Sequence, residues 1–157
     1  MSVASRTFFH NHKVYQMVDP QAVNNTTANG DTITEPWREG RRLAIIATAG
    51  ALPNAVTIGV EGLLRSDGTT WENVKAKDGT TDLEWSESTA TDVEVAELDL
   101  QDLDSDTYKA IRVTVTNGSA SNCLVGVVGV ISELIRNPSG EGTPELLMIQ
   151  RYSGGTP

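Results

Sequence analysis

The sequence predicts an all-β protein: an antiparallel β-sandwich, jelly-roll-like or a small barrel, with extended N- and C-terminal arms. Three observations carry this. Turn signals recur every 8 to 15 residues between positions 41 and 135. The runs between them are β-branched and several alternate apolar with polar residues, as half-buried strands do. No run among them repeats well with the period of an amphipathic helix.

The elements follow in order. "RRLAIIATAG" is an extended apolar segment. "NAVTIGVEGLL" alternates, with Val56, Ile58, Val60 and Gly62 on one face and Thr57, Gly59, Glu61 and Leu63 on the other. Asp67-Gly68 then supplies turn chemistry between strand-like runs, which is a strong hairpin signal, and Trp71 is expected to cap the core beside it. "TWENVKA" follows, then a second turn at Asp78-Gly79, then the short run "TDLEW". "TDVEVAELDL" alternates again; a turn of helix in "EVAELDLQDLDSDTY" is the weaker alternative. "TYKAIRVTVTNG" is the clearest strand, closed by Asn117-Gly118. "NCLVGVVGVISELI" is apolar almost throughout and reads as a central strand.

The flanks read differently. Residues 1–40 are expected as an N-terminal arm, with a short strand at 13–18, loop at 19–31 and an extended edge piece at 32–37 ending at Pro36. Residues 41–135 form the sandwich core. Residues 136–157, with one apolar island "ELLMI" among Pro, Gly and Ser, form a C-terminal arm.

Composition narrows the function. The chain has 157 residues and a net charge of −9, which suits one soluble domain and disfavours nucleic acid or an anionic membrane as partner. No apolar run reaches the roughly 18 residues of a membrane helix, and the N-terminus lacks the apolar stretch of a secretory signal. The single cysteine, Cys123, lies in an apolar run and reads as a buried, inert thiol.

Catalytic chemistry is not indicated. The two histidines, His10 and His12, stand apart from any cysteine or carboxylate cluster that would complete a metal site. No nucleophile elbow, phosphate loop or dinucleotide fingerprint is present, so the chain is read as a non-enzyme without cofactor. Asp102, Asp104 and Asp106 match the first three ligand positions of a calcium loop, but Thr107 and Val113 break the pattern at positions six and twelve. An exposed acidic loop is the simpler reading.

The order "VTIGVEGLLRSDGTTWENV", an acidic region, "YKAIRVTVTNGSASN" and "LVGVVGVI" resembles a group of small tailed-bacteriophage head proteins, the decoration or cement proteins. The residues that carry the resemblance are Ser66, Asp67, Gly68 and Trp71, then Tyr108, Arg112, Val113 and Val115, then Val125 to Val130, within residues 43–135. The resemblance implies a protein made in the host cytoplasm that ends on the virion, at the capsid surface. There it binds and bridges major capsid protein subunits, itself as a dimer or trimer. Contacts are then expected from the arms. Phe8, Phe9, His10, Tyr15 and Trp37 serve as anchors, and Arg38, Arg41 and Arg42 provide charge pairing. Leu146, Leu147, Met148, Ile149 and Tyr152 dock in a groove or add a strand to a neighbour's edge. The alternative is a glycan-binding or adhesion module of a phage tail or fibre, for which Trp71 or Trp85 must present an open platform.

Overall fold

A computed structural model describes residues 12–88, 93–134 and 152–153. In chain order the strands are β1 (His12–Val23), β2 (Thr26–Asn29), β3 (Ile33–Thr34), β4 (Gly40–Ala51), β5 (Val56–Leu64), β6 (Trp71–Asn73), β7 (Glu84–Glu87), β8 (Val93–Asp99), β9 (Tyr108–Asn117), β10 (Cys123–Leu134) and β11 (Tyr152–Ser153). They build two antiparallel sheets packed face to face. The first runs β1-β10-β4-β8-β11. The second runs β2-β9-β5-β6, with β3 also on β9 and β7 also on β5. The chain changes sheet at most of its connections, so the fold is an all-β sandwich, as the sequence predicts.

Alternation explains the core. In β5, Val56, Ile58 and Val60 are buried; in β9, Ile111, Val113 and Val115; in β4, Leu43, Ile45 and Ala47; in β10, Val125, Val127 and Ile131. These side chains face one another between the sheets and form one cluster. Each fully buried Val, Leu or Ile contributes about 1.5–3 kcal/mol relative to exposure. Tyr108 lies across Gly62, where an added Cβ would fall 2.7 Å from the ring Cε1 and Cγ. Its hydroxyl donates to Glu72 at 3.2 Å. Burial, with help from that carboxylate, pushes its pKa up to about 12, so it remains a donor.

The N-terminal segment departs from expectation. Residues 12–34 belong largely to the sheets, not to an arm, and Met17, Val18, Val23, Ala28 and Ile33 are buried. β1 pairs with β10 from His12 to Val23, with register shifts between Gln16 and Val18 and between Val18 and Gln21. Pro20 is tolerated because β1 is an edge strand and the second irregularity spans that position. The first irregularity, between Gln16 and Val18, lets the neighbours Met17 and Val18 both be buried. At Gly30-Asp31 the chain ties the two sheets together. Gly30 N–H donates to Val113 O at 2.8 Å, and Asp31 N–H donates to Met17 O at 2.7 Å.

Three turns share one chemistry. The β5–β6 connection spans six residues, 65–70, longer than a two-residue hairpin. Asp67 Oδ1 accepts Thr69 N–H and Thr70 N–H at 2.9 and 3.0 Å, and its other oxygen accepts the Thr70 hydroxyl. Asp78 does the same with Thr80 and Thr81, and Asp104 with Asp106 and Thr107. Gly68 and Gly79 carry the positive φ, at 70° and 72°. Asp104 is therefore engaged as a turn cap. No group of His, Cys, Asp or Glu among the described residues is placed to hold a metal ion. The segment 100–107 is a series of turns without helix.

Those caps predict acid sensitivity. The Thr69 N–H, then the Thr70 hydroxyl, hold Asp67 near a pKa of about 2, and the Thr81 hydroxyl holds Asp78 at about 2. Asp104 is lowered by the Thr107 hydroxyl. Folded values below the ordinary 3.8 mean stability that is full above that pH and is lost as pH falls towards 2. Thermal unfolding between pH 5 and pH 2, run on wild type and a D67N/D78N variant, should show a shallower acid slope in the variant. Identical slopes would remove the caps as the cause.

Candidate interaction surface

The outer faces of the two sheets differ in chemistry. The second sheet turns polar groups outward. The Thr27 and Thr116 hydroxyls meet at 2.9 Å, and Thr57 lies opposite Thr116. Arg112 pairs with Glu61 at 2.6 Å and sets its guanidinium 4.2 Å from the centre of the Trp71 ring. Trp71 is half-buried on this outer face, opposite Leu63 and two register positions from the Glu61–Asn73 pair. It does not cap the core as its place after the Asp-Gly turn suggests.

The first sheet turns apolar groups outward. Its central strands β10 and β4 are apolar at both parities over their middle, where Ala44, Ile46, Val128 and Val130 stand between the buried residues. One cross-strand row is Val128, Ile46 and Val95. The next is Val14, Val130 and Ala44. Val93 and Leu124 extend the patch toward the other end. The exposed large apolar side chains among the described residues are Val14, Val93 and Leu124, at 49%, 44% and 46%, and all belong to this sheet. A sandwich strand ordinarily alternates apolar-in with polar-out. The apolar stretch is bounded by Gln16, opposite Val128, and by Glu97, opposite Ala44.

A charged rim bounds the patch at one end. Arg42, opposite Ser132 and Asp99, is itself buried at 7% exposure. Its guanidinium meets Glu97 at 3.5 Å and Glu133 at 3.2 Å. Arg41 reaches Asp99 at 3.4 Å, and the exposed Arg38 pairs with Glu35 at 3.0 Å. All three arginines expected to pair with a neighbour's carboxylates thus already have acidic partners inside this chain. For Arg41 and Arg42 the sequence could not show this, because Glu97, Asp99 and Glu133 come to them only through sheet register.

The anchors fare variously. Tyr15 and Trp37 are half-buried and pack against the protein's own core. Lys13 lies 5.1 Å above the Tyr15 ring, and the Trp37 carbonyl accepts Gln101 Nε2 at 3.1 Å. Tyr152 is in β11, opposite Val95 at the edge of the first sheet. Phe8, Phe9, His10, Leu146, Leu147, Met148 and Ile149 lie outside the described residues. The outer-face residues Ile46, Val95, Val128 and Val130 were not singled out by the sequence reading. Their signal was present: a run such as "LVGVVGVI" has no polar parity, so it needs cover on both faces.

Cys123 is fully buried, as expected. It accepts Asn117 Nδ2 at 3.4 Å, and its thiol points to Asn54 O at 3.4 Å. Among the described residues no helix is long and apolar enough to cross a membrane.

No protein-family model and no curated protein matches this chain. Among solved structures, the crystal structure of PirA is similar over 84% of this chain and 100% of its own, at 15% sequence identity and a TM-score of 0.39. That likeness is too distant to bear on function.

Proposed function

We propose that this protein is a capsid decoration protein: a sandwich that lies on a tailed-phage head and bridges neighbouring major capsid protein subunits through the outer face of its first sheet. The observation that carries the reading is the apolar row Val128, Ile46 and Val95, with Val14, Val93 and Leu124 exposed around it. The family resemblance of residues 43–135 points the same way. A net charge of −9 keeps such a surface soluble in the host cytoplasm until it meets the shell. Many copies, each making a modest interface with two subunits, raise the barrier to separating them. A dimer or trimer adds avidity. A glycan-binding module needs an open indole. Arg112 occupies one face of Trp71, and Trp85 lies in the seam between the sheets, so the geometry favours the first reading.

Copy number tests it. Quantitative mass spectrometry of purified particles should give a ratio to the shell protein near one or a simple fraction. A handful of copies would move the protein to the tail or a fibre, and absence would end the proposal. An Ile46→Glu variant should bind shells about tenfold or more weakly, because it places a charge at the centre of the face. Its circular dichroism should remain that of the wild type. Undiminished binding would remove the outer face from the mechanism.

A further inference from the structure

The two sides of the sandwich are unlike. On the β1 side, Gly30-Asp31 joins the sheets. On the β8 side an apolar groove of about 200 Å³ runs between β8 and β7. Its walls follow from register. Ile45 stands opposite Ala96, so β4 and β8 supply Ile45, Ala96 and Leu98 to one wall. Trp85 stands opposite the buried Ile58, so its indole turns inward as Ile58 does. Beyond it, Val60 N–H donates to Leu83 O at 2.9 Å, and Leu83 N–H donates to Val74 O at 2.8 Å. Val60, Leu83 and Trp85 thereby form the other wall.

We propose that this groove binds a small neutral organic molecule, about one ring in size, with an apolar body and one oxygen that accepts the Trp85 indole N–H. Volume sets the size: an apolar cavity of about 150 Å³ already holds a benzene ring. The walls set the body, since aliphatic side chains offer dispersion contacts and no hydrogen bond. Trp85 sets the oxygen. Its N–H is buried and has no acceptor among the described residues. A buried donor left unpaired is costly, and a ligand that brings an acceptor recovers that cost. The residue as a whole is half-buried at the groove. A turn of the indole about its side-chain bond, a soft torsion, carries the N–H to an incoming oxygen.

Charge sets neutrality. The ionisable groups that line the groove among the described residues are Asp82, Glu84 and Glu97, all carboxylates and all exposed or half-buried toward solvent. Lys75 pairs with Asp82 and Arg42 with Glu97, each from outside the groove. The lining as a whole is thus negative. An anionic ligand meets like charge there, whereas the carbonyl of a ketone, ester or amide meets the indole donor alone. This inference stands apart from the capsid reading, since it concerns the groove and not the outer face.

Nuclear magnetic resonance on the isotope-labelled full chain tests it. The three tryptophans give three indole N–H signals, and a Trp85→Phe variant assigns one of them by its loss. Acetophenone should shift the Trp85 signal saturably, with a Kd on the order of 1 mM or below. α-Methylstyrene, the same shape with a methylene group in place of the oxygen, should bind about tenfold more weakly. Benzoate, similar in size but anionic, should leave the signal where it is. In Trp85→Phe the ketone and the hydrocarbon should bind alike, read from the backbone amides of Ala96 and Leu98. Ala96→Phe fills the groove and should abolish binding with circular dichroism unchanged; if it misfolds, the wild-type series and Trp85→Phe decide. No saturable shift with acetophenone, equal affinity of the wild type for ketone and hydrocarbon, or binding of benzoate as tight as that of the ketone would each overturn the proposal. A Trp85 signal that moves with protein concentration would assign the groove to a second copy and overturn it as well.

Discussion

An Asn117→Asp variant should lose about 3 kcal/mol or more of stability at pH 7. Asn117 is 1% exposed at the end of β9. Its Nδ2 donates to Val23 O at 2.8 Å and to Ser121 O at 2.7 Å, and its Oδ1 accepts Ser119 N–H at 2.9 Å. The amide is thus satisfied at both ends, and it ties β1 to the β9–β10 turn. Asp keeps the shape but exchanges the donor for an oxygen that faces two carbonyls. Burial and those carbonyls raise the pKa of the new carboxyl in the folded state. The penalty is therefore full above that raised value and shrinks as pH falls toward the unfolded one. Asn117→Ala removes the bonds without the charge and should cost roughly 2 kcal/mol. Thermal unfolding reads both, at about 2–4 °C per kcal/mol for a chain of this size. A deficit for Asp no larger than for Ala at neutral pH would show that solvent reaches the site.

Gly30→Val should cost about 3 kcal/mol, and Gly30→Ala a large part of that. A Cβ at Gly30 would fall 2.7 Å from Val113 O and 2.9 Å from the Met17 carbonyl carbon. Both neighbours are backbone of buried strands, so neither can rotate away, and the two hydrogen bonds that join the sheets would have to lengthen. Gly118, whose added Cβ meets nothing within 4 Å, is the control; Ala there should change stability by less than about 0.5 kcal/mol. If the two alanine variants unfold at the same temperature, Gly30 is not the tie between the sheets.

Much of the architecture was legible because strand parity is a local signal. β5 and β9 bury the residues that alternation assigns inward, and Asp67-Gly68 and Asp78-Gly79 are turns. β1 and β2 were read as arm and loop because "DPQAVNNTTANGD" has turn composition. The sequence does not show that Pro20 would meet an irregularity on an edge strand, or that Ala28 would pair opposite Val115. The apolar outer face was legible only in part. β10 was placed at the centre of a sheet from its apolar run, but a run with no polar parity also leaves a second face to cover. The arginines' partners within the chain were not legible, for a physical reason. Three of them within five residues look like a free cationic cluster, and only register supplies Glu97, Asp99 and Glu133.

Asn117 is followed by Gly118, and that pairing has a slow chemistry of its own. The glycine nitrogen attacks the side-chain amide, ammonia leaves, and the resulting succinimide opens with water to Asp or isoaspartate. In the native protein both ends of the amide are held by hydrogen bonds and the group is sealed from water, so attack is disfavoured. Each unfolding episode releases it. The product carries an acid at a buried position where two carbonyls face it, so it refolds to a less stable native state. Ageing at this residue turns reversible unfolding into a lasting loss of stability, and its pace is set by how rarely the molecule opens.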